Sequence, residues 1–118
     1  MKGKTMAKGI NVNDRIAFIL SAEKESATPT VWNFGPLLNS QKMSLLDVEA
    51  KTNTENLNKT FNILATAIKS IKNLDGVDYE EGKVTKEIFD AIADEKIIQE
   101  LMEEFNRVNF PTAQEIKN

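Results

Sequence analysis

Large apolar residues near the start of the chain recur at a period of two. The run DRIAFIL (14–20) has large apolar side chains at every second position, and so does TVWNF (30–34), where Trp32 and Phe34 share one face. Two such runs joined by a polar connection predict an antiparallel hairpin with one buried face. The first run is short enough that a helix is the alternative.

After residue 50 the apolar spacing changes to the alternating fours and threes of a helix. Thr52 and Glu55 have the spacing of a capping box, which satisfies two backbone N–H groups at a helix start. We expect this helix to run for about five turns and to end at 75–76, an Asp-Gly pair, because glycine adopts the left-handed conformation that stops helices. Its apolar stripe is Leu57, Phe61, Leu64, Ile68 and Ile71.

Three further helices are predicted from similar signals. A short one begins near Ser40 or Ser44, another begins at Thr85, and the last is capped by Asp94 and closes at 109–111, where proline cannot continue it. Together these elements predict an α+β fold that is predominantly α, with an N-terminal β-hairpin packed on three to four helices.

The chain length of 118 residues is that of one domain. We expect a flexible basic tail over residues 1–9, a single α+β domain over 10–110 and a flexible C-terminal tail over 111–118. In the C-terminal tail, Thr112 and Glu115 again have capping-box spacing. That segment is either a frayed turn, a segment that becomes ordered on a partner, or one that continues in a longer product.

Charge and composition narrow the classes of partner. The formal net charge is −3, which argues against nucleic acid as the main partner because phosphate contacts require clustered lysine and arginine. No run approaches the roughly 18 apolar residues of a membrane span, so no membrane partner is expected. The chain has no cysteine and therefore no disulfide framework. We expect a cytoplasmic protein, in the host cytoplasm if a phage encodes it.

The side-chain chemistry favours a protein without enzymatic activity. The absence of histidine and cysteine removes the usual general base, the thiolate nucleophile and the common nitrogen and sulfur metal ligands. Ser21 and Lys24 have the Ser-x-x-Lys spacing of some serine enzymes, but the companion motifs are missing. The acidic run DGVDYEE (75–81) lacks the spacing of a calcium loop. No catalytic residue, metal or cofactor is expected.

Trp32 and Phe34 have two interpretations. Burying each ring would contribute about 2–3 kcal/mol and would attach the hairpin to the helices. Alternatively, an exposed tryptophan is typical of a protein-binding hot spot. The sequence favours the core interpretation and leaves the second open.

Several segments, taken in order, resemble a group of small phage-encoded tail assembly proteins. They are PTVWNFGPLLNSQKMSLLDVEA, a long amphipathic helix, DGVDYEEGKVTKEIFDAIADEKIIQELMEEF and FPTAQEIKN. In that group a Pro-Thr-Val-aromatic-x-aromatic-x-Pro-Leu segment precedes the helices, and a Ser/Thr-x-x-Glu-x-Lys-Asn ending closes the chain. The resemblance covers most of residues 28–118. The chain departs from the pattern at Gly35, where such proteins often have a basic residue, and at Phe110-Pro111.

The resemblance implies a non-enzymatic tail assembly chaperone, which covers the tape-measure protein until the tail tube polymerises around it. Its partner would be the tape-measure protein or another tail protein. Covering an amphipathic helix requires an exposed apolar groove. The residues expected to bind the partner are Trp32, Phe34, Ile63, Ile98, Met102 and Phe110.

Two other functions stay open from the sequence. One is a virion structural protein, such as a head–tail or tail completion protein, which would form a homo-oligomer. The other is an acidic inhibitor of a host nucleic-acid enzyme, in which residues 87–104 would mimic nucleic acid. The acidic face of that helix would consist of Asp90, Asp94, Glu100 and Glu104.

Overall fold

A three-stranded antiparallel sheet in the order β1-β2-β3 forms one layer of the fold. The computed structural model describes residues 9–111, so the predicted flexible tails lie outside the described residues except for Gly9 and Pro111. The strands are β1 (Ile16–Phe18), β2 (Val31–Phe34) and β3 (Ile68–Lys72). The helices packed with them are α1 (Asn39–Leu46), α2 (Asn53–Ala67), α3 (Lys86–Asp90) and α4 (Glu95–Asn109). The predicted α+β class is confirmed.

The N-terminal hairpin forms as the alternating pattern predicts. Strands β1 and β2 pair antiparallel, with Ile16 opposite Phe34 and Phe18 opposite Trp32. The rings of Phe18 and Phe34 meet edge to face, with centroids 6.1 Å apart. Residues 31–34 alternate between half-buried and buried, so the face that carries Trp32 and Phe34 points into the core. The helical alternative for the first run is therefore excluded.

The start of α2 is confirmed, but the predicted five-turn helix is wrong at its C-terminal end. The Thr52 hydroxyl accepts the Glu55 N–H at 3.1 Å, and the Glu55 carboxylate accepts the Thr52 N–H at 3.1 Å. The helix ends at Ala67, and residues 68–72 form strand β3 on the open side of β2.

A bulge explains why strand β3 has helical spacing. Ile68 pairs with Phe34 and Ile71 pairs with Trp32, so three steps along β3 match two along β2, with the irregularity at 33–34. Both isoleucines are buried. An extra residue in one strand keeps side chains three apart on the same face, and a helix does the same. The spacing alone therefore could not distinguish the two structures.

The remaining helices begin close to their predicted starts. Helix α4 is capped by Asp94, whose carboxylate accepts the Lys96 N–H at 2.9 Å. Helix α3 follows Thr85 directly. Helix α1 begins at Asn39, one residue before the earlier of its two predicted starts.

Aromatic side chains from the sheet and the helices fill the core. Trp32 of β2 stacks on Phe89 of α3, with centroids 6.3 Å apart and an interplanar angle of 28°. The largest fully buried side chains are Trp32, Phe34, Phe89, Phe105, Leu37, Leu64, Ile68, Ile71 and Leu101. Trp32 and Phe34 therefore attach the hairpin to the helical layer, as the core interpretation proposed.

A buried polar cluster joins α1 to the C-terminal end of α4. The Asn109 side-chain oxygen accepts the Leu37 N–H at 2.8 Å, and its amide nitrogen donates to the Phe105 carbonyl at 3.1 Å. The Lys42 ammonium donates to the Asn109 carbonyl at 2.8 Å and lies 5.0 Å from the centre of the Phe110 ring. Lys42 and Asn109 are both buried, so this cluster satisfies backbone groups that water does not reach.

Gly35 lies under two cationic side chains. Its N–H donates to the Ala67 carbonyl at 2.8 Å. A Cβ atom at this position would lie 2.9 Å from Lys69 Cε and 3.0 Å from Arg15 Nη1. A basic residue at position 35 would therefore add a third cation and would require the flexible side chains of Lys69 and Arg15 to shift. Burial, together with the charge of Arg15, lowers the pKa of Lys69.

The buried asparagine gives the first prediction. Asn109→Ala should lower the free energy of unfolding by about 1–3 kcal/mol, because the Leu37 N–H loses its acceptor. Urea denaturation measures the change. Asn106→Ala is the matched control, since Asn106 is exposed on the same helix. Equal stability of the Asn109 and Asn106 variants would contradict the structural role of the cluster.

The pKa of Lys69 gives a second prediction. The folded chain disfavours the charged form of Lys69, and this free-energy cost to folding is fully present at neutral pH. As the pH rises from the lowered folded pKa towards the usual value of 10.5, the folded chain releases its proton first. The free energy of unfolding should therefore rise over this interval relative to Lys69→Met, which has no such proton.

Urea denaturation of both proteins at a series of alkaline pH values measures the difference. Arg15→Gln removes one of the two causes of the lowered Lys69 pKa. It should therefore narrow the pH interval over which the free energy of unfolding rises. A difference between wild type and Lys69→Met that stays constant with pH would contradict the lowered pKa.

Candidate functional site

A groove with an apolar floor lies between helices α2 and α4. Leu57 and Phe61 line it from α2, Ile98 and Met102 line it from α4, and Ile92 lines it from the α3–α4 connection. The volume of the groove is about 550 Å³. It is an open surface feature that could receive a protein segment.

The groove exists because two helices have more apolar surface than the core covers. On α2, Leu57, Phe61 and Leu64 lie on one stripe, yet their exposed fractions are 54%, 8% and 0%. The N-terminal part of α2, through residue 58, therefore extends beyond the core. On α4, Leu101 and Phe105 are fully buried, whereas the neighbouring side chains that line the groove are half-buried.

Polar and acidic side chains form the rim of the groove. Four of these residues are on α4, namely Glu95, Gln99, Glu103 and Asn106, and Thr60 is on α2. Within the described part of the chain, no lysine or arginine lines this groove. The local charge therefore favours a ligand that has cations beside an apolar face.

The structure brings only two of the six predicted partner-binding residues into the groove, Ile98 and Met102. Trp32, Phe34 and Ile63 are buried, with exposed fractions of 1%, 0% and 3%, so a partner cannot touch them in this fold.

Phe110 is the sixth predicted residue, and it is 42% exposed. It does not line the groove. Its ring contacts Phe105 edge to face, with centroids 6.1 Å apart, and lies beneath the Lys42 ammonium. Phe110 therefore belongs to the junction of α1 and α4.

The sequence pattern assigned Leu57 and Phe61 to the core stripe, which is confirmed for Phe61 and wrong for Leu57, a residue that is 54% exposed and lines the groove. The available signal was their place near the start of α2, directly after the capping box at Thr52. Residues near the start of a helix have helical neighbours on one side only, so other parts of the fold often cover them less.

Residues 87–104 are not one acidic helix, because α3 ends at Asp90 and α4 begins at Glu95. Asp90 therefore lies on α3, and the other three carboxylates of the predicted acidic face are bonded within the chain. Glu100 accepts the Ser21 N–H at 2.7 Å and the Ser21 hydroxyl at 3.0 Å. Glu104 is buried and bonds to the Arg107 guanidinium through both oxygens, at 2.7 and 2.6 Å. Asp94 caps the helix. These carboxylates do not form one free surface that could mimic nucleic acid.

Other kinds of site are not apparent within residues 9–111. That part of the chain contains no group of three or more acidic, histidine or cysteine side chains placed to hold a metal ion. Its helices are all too short or too polar to cross a membrane. The Ser21 hydroxyl, one half of the Ser-x-x-Lys pattern, donates to Glu100. The groove is therefore the best candidate for a functional site.

The chain matches no protein-family model, no curated protein and no solved structure.

Proposed function

We propose that this protein is a non-enzymatic chaperone that holds an amphipathic helix of a protein partner in the groove between α2 and α4. The observation that carries the proposal is the exposed apolar floor formed by Leu57, Ile98 and Met102. The resemblance to phage tail assembly proteins suggests the partner, which would be the tape-measure protein or another tail protein.

The length of the groove suits a short helical segment. Its α4 side runs from Glu95 to Asn106, a distance of roughly 17 Å at the rise of an α-helix. A partner helix of about three turns spans that distance and can place three or four apolar side chains on the floor. Amphipathic helices bind in grooves through apolar side chains at positions i, i+3, i+4 and i+7, which such a helix can supply.

The acidic rim of the groove favours a partner helix with basic residues on both sides of its apolar face. Glu95 and Glu103 would attract lysine or arginine beside the apolar face of the partner. A second copy of this chain is a poorer occupant, because its own groove has the same acidic rim and like charges repel. The segment 112–118 is also poorly suited, since Ile116 is its only large apolar residue.

A peptide-binding experiment tests the groove. The probe is a labelled 15-residue helix with leucine at helical spacing on one face and lysine on both flanks, and fluorescence anisotropy reports binding. Leu57→Glu should weaken binding by about tenfold or more, because it puts a charge on the apolar floor. A second peptide with glutamate flanks should bind more weakly than the lysine form.

Met43→Glu is the matched control for Leu57→Glu. Met43 is 46% exposed and lies on α1, away from the residues that line the groove. Both substitutions add one negative charge at an exposed apolar site, so the fold should persist in each. Equal loss of binding in the two variants, or no loss with Leu57→Glu, would contradict the proposed site.

The tail assembly role needs a separate experiment. Co-expression with the tape-measure protein of the same genome should yield a complex that Leu57→Glu disrupts and Met43→Glu does not. Mass spectrometry of purified phage particles then distinguishes a chaperone, which leaves before maturation, from a virion structural protein. Recovery of the chain in mature particles, or as a homo-oligomeric ring, would favour the structural alternative.

A further inference from the structure

Two cationic side chains meet over the backbone of Gly35, directly after strand β2. Arg15 Nη1 and Lys69 Cε lie 3.0 and 2.9 Å from the point that a Cβ atom on Gly35 would occupy. The two atoms must therefore lie close to each other. A larger residue at position 35 would push both side chains aside. The glycine thus permits the two cations to lie side by side.

Neutral backbone carbonyls hold both cations in place. Arg15 Nη1 donates to the Val12 carbonyl at 2.9 Å and to the Asp14 carbonyl at 2.7 Å, which closes the turn before β1. Lys69 Nζ donates to the Thr66 carbonyl at 2.7 Å and so caps the last turn of α2. These bonds fix the positions of the charges but do not neutralise them, because a carbonyl oxygen has no net charge.

No carboxylate of residues 9–111 forms an ion pair with either cation. The ion pairs within that range are at 49–51 and 104–107. Burial and the charge of Arg15 both lower the pKa of Lys69. Adjacent like charges raise the free energy of the folded chain, and an anion held between them would lower it.

Both cations keep hydrogen-bond donors that an anion can use. An ammonium group has three N–H donors and a guanidinium group has five, more than the bonds to the carbonyls occupy. Arg15 is exposed and Lys69 is half-buried beside it, so an anion can approach from solvent. Because the carbonyls already fix both side chains, binding an anion requires little further ordering.

We propose that Arg15 and Lys69, which we call the Gly35 cation pair, bind a phosphate group between them. A phosphate monoester has a charge of about −1.5 to −2 at neutral pH and three oxygens that accept hydrogen bonds, so it balances both cations. A carboxylate or a phosphodiester has one charge and balances only one of them. The Gly35 cation pair does not depend on the proposed chaperone function, because neither residue lines the groove.

An NMR titration tests the Gly35 cation pair. Arg15 and Arg107 are the arginines of the chain, so ¹H–¹⁵N spectra contain two Nε resonances. Glycerol phosphate, added at neutral pH and constant ionic strength, should move the Arg15 resonance in a saturable way. The Arg107 resonance is the internal reference and should not move, because its Nε already donates to the Glu104 carboxylate at 2.7 Å.

Two further probes identify the chemistry that is recognised. Dimethyl phosphate, a diester with one charge, should bind at least about fivefold more weakly than glycerol phosphate. Inorganic phosphate distinguishes the sources of the group. Binding as tight as that of glycerol phosphate means that the phosphate alone is recognised, and weaker binding means that the ligand is an organic phosphate. Equal binding of dimethyl phosphate and glycerol phosphate would overturn the proposal.

Three variants separate a specific site from general electrostatic attraction. Lys69→Gln removes one cation of the pair and should weaken binding of glycerol phosphate by about tenfold. Lys72→Gln is the matched control, since Lys72 is an exposed lysine on the same strand, and its affinity should stay within about twofold of wild type. Gly35→Ala keeps every charge but places a methyl group where the two side chains meet, so it should also weaken binding.

Two outcomes among the variants would overturn the proposal. One is equal affinity of Lys69→Gln and Lys72→Gln, because general attraction would then account for binding. The other is an unchanged affinity in a folded Gly35→Ala protein. If Gly35→Ala does not fold, the comparison of the two lysine variants still decides. None of these results bears on peptide binding in the groove, so the two proposals can fail separately.

Discussion

The contact between the aromatic face of β2 and the helices is the interaction on which the rest of the structure depends. Trp32 stacks on Phe89, and Phe34 is buried on the same face of the strand. With Phe105 of α4 also fully buried, these rings join three separate parts of the chain. Ile63, Leu64 and Ala67 of α2 and Leu101 of α4 fill the rest of the interior, whereas Leu57, Ile98 and Met102 stay at least partly exposed. The groove is therefore a consequence of how the core is filled.

The acidic character of α4 is divided between structure and surface. Glu100 accepts hydrogen bonds from Ser21 in the connection between β1 and β2, and Glu104 is buried against Arg107. Glu95 and Glu103 instead line the groove. Carboxylates that would look alike on a helical wheel thus have different roles, because neighbours from distant parts of the chain reach some of them and not others.

Buried polar groups show a similar contrast. At the C-terminal end of α4, Asn109 and Lys42 satisfy backbone groups across more than sixty residues of sequence. Among residues 9–111, the Trp32 indole N–H is instead the buried side-chain polar group that has no hydrogen-bond partner within the chain.

The sequence by itself determined the features that depend on local interactions. The hairpin pattern, the capping box at Thr52 and the Asp94 cap are each decided by residues within a few positions of one another. Tertiary structure alone decided that residues 68–72 form a strand, because pairing with β2 and a bulge outweigh a spacing that also suits a helix. It also decided which apolar residues face outward: two of six predicted contacts line the groove, and Leu57 was not among the six. Exposure depends on which distant element covers a side chain, and a local pattern contains no information about that.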